Sequence, residues 1–321
     1  GGLVNTKPSL LLEPQSTNLI TYSEDYSQSS WTKLNAQVSR TDETSPDGNN
    51  TNVFNLTGTN GNLFVGGTTG VEYTISVYIK SNNKNKDKFK LRLGNNISSE
   101  YEATNEWKRY VFTSTPTTGV LGITTSSSPD NEFDLLVWGF QLEQLSYATS
   151  YIPTNGSTQT RAAETCNGAG TSSIFESSEG ILYAEISALA NDFATYRFIS
   201  LYDGTFDNFC DIYYGDASNR ISVRFRGGGG SVINMFFAVS DVKLFNKVAI
   251  SWKLNKFKFF INGVSRGLNT SGAAPVGLSR LDFHQTSGNN PFYGQCRDIR
   301  VYNTKEMTDS EVDILLTKIT S

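Results

Sequence analysis

At 321 residues the chain exceeds what one hydrophobic core serves, and about two domains of roughly 100 to 200 residues each are expected. Aromatics at 12% against charged residues at 18%, with 28 Gly and abundant Ser, Thr and Asn, suit twisted strands joined by polar turns and predict an all-β protein. A formal charge of −4 and a pI near 5.2 give phosphates no positive field to follow, so nucleic acid is excluded as an expected partner.

The opening stretch GGLVNTKPSLLLEPQ lacks the charged start and long apolar run of a signal peptide. No apolar run approaches the ~20 residues that span a bilayer, so membrane insertion is not expected either. The chain begins without Met, which reads as a fragment, a processed product or the ordered part of a longer chain. From Val53 onward the pattern is periodic. YTISVYIK puts Ile75, Val77 and Ile79 on one face, and KFKLRLG repeats this with Phe89, Leu91 and Leu93. Lys84, Lys86, Lys88 and Lys90 read as a solvated turn entering that second strand. NEWKRYVFTS and NEFDLLVWGFQLEQ continue the series, the latter after the turn cluster SSSPDN, and together these predict an antiparallel sandwich.

The opening PSLLLEPQSTNLITYSEDYSQSSWTKLNAQV and the closing VWGFQLEQLSYATSYIPTNGSTQTRAAE resemble the flanks of a carbohydrate-binding-module-like jelly roll found in bacteriophage tail-fibre, head-spike and other virion-surface proteins. The resemblance covers residues 1–164 and is most specific over 8–38 and 138–163. Within it Glu13, Asn18, Glu24, Asp25 and Trp31 suit a structural clasp that bonds loop backbone no ladder satisfies; a binding role is the alternative. Pro153 and Gly156 turn the chain outward, and the domain boundary is placed near residue 165.

Over 165–321 strands recur as GILYAEISAL, YRFISLYDG, FCDIYYG, RISVRFRGGGGSVINMFFAV, FNKVAISWKLNKFKFFING and QCRDIRVYN. RGGGGS lacks the Lys-Ser/Thr of a phosphate loop and is expected as a hairpin turn. Asn262-Gly263 supplies the positive φ angles of another. Thr308 with Glu311 forms a capping box for one helix, whose Val312, Leu315, Leu316 and Ile319 are expected to cover a sandwich edge. Asp298 and Arg300 share a strand face and are expected to pair with each other or with neighbours. The stretch from Phe245 to Leu316 resembles the laminin-G and concanavalin A-like lectin/glucanase family at Phe245, Val248, Ile250, Phe259, Ile261, Asn262, Gly263, Gly294, Asp298, Arg300 and Tyr302. The expected architecture is therefore two tandem antiparallel β-sandwiches, 1–164 a jelly roll and 165–321 concanavalin A-like with a short C-terminal helix.

Catalysis finds little support. The glucanase motif Glu-x-Asp-x-x-Glu is missing and Glu185 stands without a partner carboxylate, while His284, Gln285 and Tyr293 lack the flanking motifs of a lyase. No nucleophile elbow is present, and the single His lies in an alternating strand. Cys166, Cys210 and Cys296 allow one bridge with a thiol left over or three unbridged thiols, and no paired-CxxC zinc site. The sequons at Asn55, Asn96, Asn155 and Asn269 are chance matches if the host is bacterial.

Binding is easier to accommodate. LYDGTFDNFCDIYYGD gathers Tyr202, Asp203, Phe206, Asp207 and Asn208, and HQTSGNNPFYG adds Asn289, Asn290 and Tyr293, types that stack on sugar rings and bond hydroxyls. No cofactor is assigned and calcium stays open; Asp203, Asp207 and Asp211 are its candidate oxygen ligands, although their spacing matches no defined calcium loop. The resemblance implies a non-enzymatic virion-surface fibre or spike protein that attaches to host-surface polysaccharide, contacts other virion proteins and forms a homo-oligomer, with a trimer the first expectation. Two other readings stay open. One is a purely structural virion decoration or connector; the other is the accessory carbohydrate-binding modules of a secreted bacterial polysaccharide-degrading enzyme.

Overall fold

The structure, a computed structural model, describes residues 8–49, 52–67, 69–82, 87–125, 132–192 and 195–321. Apart from the helix Asp309–Thr320, its regular elements among the described residues are antiparallel strands, as the composition predicts. Lys84, Lys86 and the SSSPD part of the expected turn lie outside the described residues, and so does Asn131. Lys88 pairs with Glu100 at 3.4 Å.

The chain divides into two compact units: Gln15–Ala162, and Ala163–Ser321 together with the stretch that ends at Pro14. The second crossing falls close to the expected boundary near residue 165. The first, at Pro14–Gln15, was not anticipated from the sequence. Leu10–Leu12 forms an edge strand beside Gly294–Asn303, with Leu10 opposite Cys296 and Leu12 opposite Gly294. Glu13 donates its N–H to Glu164 Oε2 at 2.8 Å and accepts from the Glu164 N–H at 3.0 Å. This part of the expected clasp therefore belongs to the C-terminal unit.

In Gln15–Ala162 one nine-stranded sheet folds over the main core, and Val53, Leu136 and Trp138 form a smaller separate cluster. The period-two positions Ile75, Val77, Ile79, Phe89, Leu91 and Leu93 all point into the main core and are fully buried. The long strand Phe54–Gly66 pairs with Glu132–Glu143 through its first half and with Val120–Thr124 through its second, which lets one sheet wrap both sides of the core. Asn18 is a complete bracket there. Its Nδ2 donates to the carbonyls of Phe140 and Ile152 at 3.1 and 2.9 Å, and its Oδ1 accepts from the N–H groups of Ile20 and Leu142, both at 3.1 Å. Trp31 Nε1 donates to the Tyr22 carbonyl at 2.9 Å, Glu24 accepts from Tyr151 and Asn52, and Asp25 accepts from Ser27 and Gln28.

The C-terminal unit is a two-sheet sandwich. A six-stranded sheet runs in the order 10–12, 294–303, 180–188, 246–253, 256–261, 264–269, and a five-stranded sheet in the order 233–238, 220–226, 209–214, 197–202, 280–282. Leu182, Val248, Ile250 and Phe257 of the first meet Ile199, Cys210, Ile212 and Val223 of the second in one apolar core. Asn262 and Gly263, at φ 49° and 79°, make the expected hairpin turn, and Gly228 and Gly229, at 57° and 70°, turn the chain within RGGGGS. The capping box of Thr308 and Glu311 is formed. The helix it starts packs Val312, Leu315, Leu316 and Ile319 on Ile181, Tyr183, Ala249 and Phe260. These four lie on interior strands, so the helix covers the outer face of the six-stranded sheet and not its edge. Strand Gly180–Ala188 is consequently buried along its whole length.

Candidate functional site

The helix leaves the opposite face of the sandwich, the outer side of the five-stranded sheet, to be built from the residues that alternate with the core. Antiparallel register sets these in three rows. A central polar row reads Asp282, Ser200, Asp211, Arg224, Asn234 across all five strands. One flanking row reads Phe198, Tyr213, Ser222, Phe236, and the other Arg280, Tyr202, Phe209, Arg226. A polar stripe thus runs between two rows that carry the sheet's outward aromatics.

Arg224 is the centre of this face. Its guanidinium carbon lies 4.6 Å from the Phe198 ring centroid, 5.0 Å from Phe209 and 5.6 Å from Tyr213, while Phe198 and Tyr213 stack on each other at 4.5 Å. Nε donates to Asp211 Oδ2 at 3.0 Å and Nη2 donates to the same oxygen. Asp211 is fully buried, and that burial pushes its carboxyl pKa up against the opposing charge of Arg224. Nη1 of Arg224 has no protein partner among the described residues and remains available to a ligand.

Tyr196, Phe198, Tyr213, Arg224, Val232, Asn234, Gln285 and Asn290 line an open groove of about 490 Å³ on this face. Tyr196 is 46% exposed and approaches Phe198 and Tyr213 at 6.1 and 6.2 Å between ring centroids. Asn290, at φ 49°, donates from Nδ2 to Gln285 Oε1 at 2.7 Å, which fixes both amides on the rim. Phe198 is buried, Tyr213 is partly exposed and Tyr196 is the ring most open to the groove; such a surface beside oriented donors and acceptors can take the C–H face of a polyhydroxylated ring, with the amides and guanidinium meeting its hydroxyls.

Of the eight residues expected from sequence, Asn290 is the one in this groove. Asn289 neighbours it, exposed, with its carbonyl bonded to the Gln285 N–H. The Tyr293 carbonyl accepts from Tyr214 Oη at 3.0 Å. Tyr202 is buried and donates its hydroxyl to Asp282 at 2.7 Å. Asp203 accepts from Thr205 and Asn208 within its own loop, Asn208 Oδ1 accepts from the N–H groups of Gly228 and Val276, and Phe206 and Asp207 are exposed on that loop. The three aspartates considered for calcium do not converge: Asp203 braces its own turn, Asp207 faces solvent and Asp211 is buried against Arg224. Among the described residues no group of three His, Cys, Asp or Glu side chains is placed to hold a metal ion. Cys166, Cys210 and Cys296 are unbridged. His284 holds Asp282 at 3.4 Å through Nε2 and the Gln285 carbonyl at 2.6 Å through Nδ1. Glu185 faces Arg297 at 3.6 Å.

No protein-family model matches the chain, and no curated protein matches it significantly in sequence. Loose likenesses exist among solved structures. The CBM40 of Ruminococcus gnavus IT-sialidase bound to α2,3 sialyllactose is 16% identical over 48% of this chain and 96% of its own, with a TM-score of 0.36. A SAP-like pentraxin from Limulus polyphemus is 11% identical over 48% of this chain and 72% of its own, with a TM-score of 0.34. Domains LG4-5 of the mouse laminin alpha1 chain are 8% identical over 94% of this chain and 92% of their own, with a TM-score of 0.32. The sandwich assignment rests on the strand pairing described above.

Proposed function

We propose that the outer face of the five-stranded sheet binds carbohydrate, and that the chain serves attachment and not turnover. The observation that carries this is the Arg224 guanidinium, which lies over Phe198 and Phe209, is oriented by buried Asp211 and keeps Nη1 open to a groove rimmed by Gln285, Asn290 and Asn234. Support for binding without chemistry comes from the carboxylates. Glycoside hydrolysis needs two of them flanking the sugar bond. The groove lining contains none; among the described residues of this face, Asp211 and Asp282 are wholly buried and committed to Arg224 and to Tyr202, Arg280 and Gly168, Asp216 is held by Arg220 and Ser222, and Asp207 lies exposed beside Arg226.

The finer reading is a virion-surface attachment protein. It is supported by the resemblance of 8–38 and 138–163 to the phage fibre and spike modules. A printed glycan array probed with the intact chain tests the binding, with Arg224→Ala as the control: specific spots lost in the variant are expected, and a blank array would overturn it. Mass spectrometry of purified virions tests the placement. Finding the chain instead in a secreted polysaccharide-degrading enzyme would replace the virion with an accessory binding role.

A further inference from the structure

The groove does not end at Asn234. Val232 and Asn234 also form one wall of a second depression of about 550 Å³, whose other lining residues include Gly227, Ser231, Asn269, Ser271 and Gly272. Two close backbone approaches shape it. A Cβ on Gly227 would stand 2.4 Å from the Ala273 carbonyl oxygen, and one on Gly272 would stand 2.5 Å from the Ile233 side chain. The Ser231 and Ser271 hydroxyls have no protein partner among the described residues. The first depression is aromatic and the second is lined by small residues, hydroxyls and amides together with Val232 and Ile233, and the two share a wall at Val232 and Asn234, at the start of the edge strand Ile233–Ala238.

The electrostatics of this face are balanced. Arg224 is neutralised by Asp211, Arg280 by Asp282 at 2.8 Å and Arg220 by Asp216 at 2.7 Å. Arg226 lies 3.9 Å from Asp207 and donates to the carbonyls of Phe206, Gly229 and Gly230. The second depression has no charged lining residue, and the first has Arg224 alone. An anionic ligand would lose its hydration without meeting an uncompensated cation.

We infer that the site takes an uncharged glycan of several rings, seated on the aromatic depression and continuing across Val232 and Asn234 into the hydroxyl-lined one. This rests on the carbohydrate-binding reading and adds to it the ligand's charge and its length. Each further ring placed in the second depression adds hydrogen bonds to an already oriented chain, so affinity rises with length until both depressions are filled.

The test is an array of neutral and anionic oligosaccharides of graded length, followed by calorimetry on the best neutral series and on heparin and polygalacturonate. Neutral chains are expected to gain at least about tenfold in affinity from one ring to several, with little dependence on salt. The variant Ser231→Ala/Ser271→Ala is expected to weaken the long chain about 3- to 10-fold and leave the shortest binder unchanged. Three results would overturn the inference while leaving carbohydrate binding intact: preference for the polyanions, equal affinity for one ring and many, or no effect of the double variant on the long chain. Absence of binding to every sugar would instead remove the underlying reading, and the inference with it.

Discussion

Asp211 and Arg224 stand opposite each other on neighbouring strands, the carboxylate wholly buried and the guanidinium side chain 17% exposed. The carboxylate fixes the height and plane of the guanidinium over the aromatic rings, so one pair joins sheet stability to the presentation of the groove. Arg224→Ala leaves a buried carboxylate without its counter-charge. It is expected to destabilise the C-terminal unit by about 3 kcal/mol as well as abolish binding. The apolar replacement Asp211→Leu/Arg224→Met separates the two roles: denaturant melts should show most of the stability restored, while the glycan array stays blank.

Tyr196 tests binding without that complication. It is half-exposed on the groove wall and its partners are other rings. Tyr196→Ala is expected to weaken glycan binding about 3- to 10-fold in calorimetry with an unchanged melting temperature, and an unchanged affinity would take Tyr196 out of the site.

Asp282 gives a pH signature. Burial by itself raises its carboxyl pKa, but bonds from Tyr202, the Gly168 N–H and Arg280, with the Arg280 charge, outweigh burial and hold it below 3.8. The unfolded chain then binds that proton more tightly than the folded one. The stability due to Asp282 is therefore present above pH 3.8 and is lost as the pH falls through the folded-state value. Urea titrations across this range should show a flatter acid limb for Asp282→Asn than for the parent. Equal limbs would locate the acid sensitivity in other carboxyls.

Asn18 is the corresponding test in Gln15–Ala162. Asn18→Ala strands two buried carbonyls and two buried N–H groups and is expected to destabilise that unit by about 3 kcal/mol. Hydrogen exchange should localise the loss to the strands around Phe140 and Leu142, with glycan binding at Arg224 unaffected.

Much of this was legible in the sequence, and the limits are physical. Period-two alternation identified Ile75, Val77, Ile79, Phe89, Leu91 and Leu93 as core, and local turn and capping rules found Asn262-Gly263 and Thr308 with Glu311. The loop at Asp203 drew attention because its polar residues are contiguous, yet those residues brace the loop itself. The groove residues Tyr213 and Arg224 are each flanked by core residues on their own strands and Phe198 precedes the core residue Ile199, and alternation alone marks them as outward. What alternation does not give is strand order. Only register across four strands sets Phe198 beside Tyr213 and Arg224 between Asp211 and Asn234. The pairing of Leu10–Leu12 with Gly294–Asn303 was hidden for the same reason.

That pairing has a consequence during synthesis. Leu10–Leu12 leaves the ribosome before any of Gln15–Ala162, yet its partner around Cys296 follows only after the whole of that unit and most of the second sandwich. The intervening unit can close on its own core while the early strand has an unpaired edge and nowhere to dock. Completion of the sandwich thus waits for Gly294–Asn303, and a chain stalled before Gly294 would expose that edge to other nascent chains.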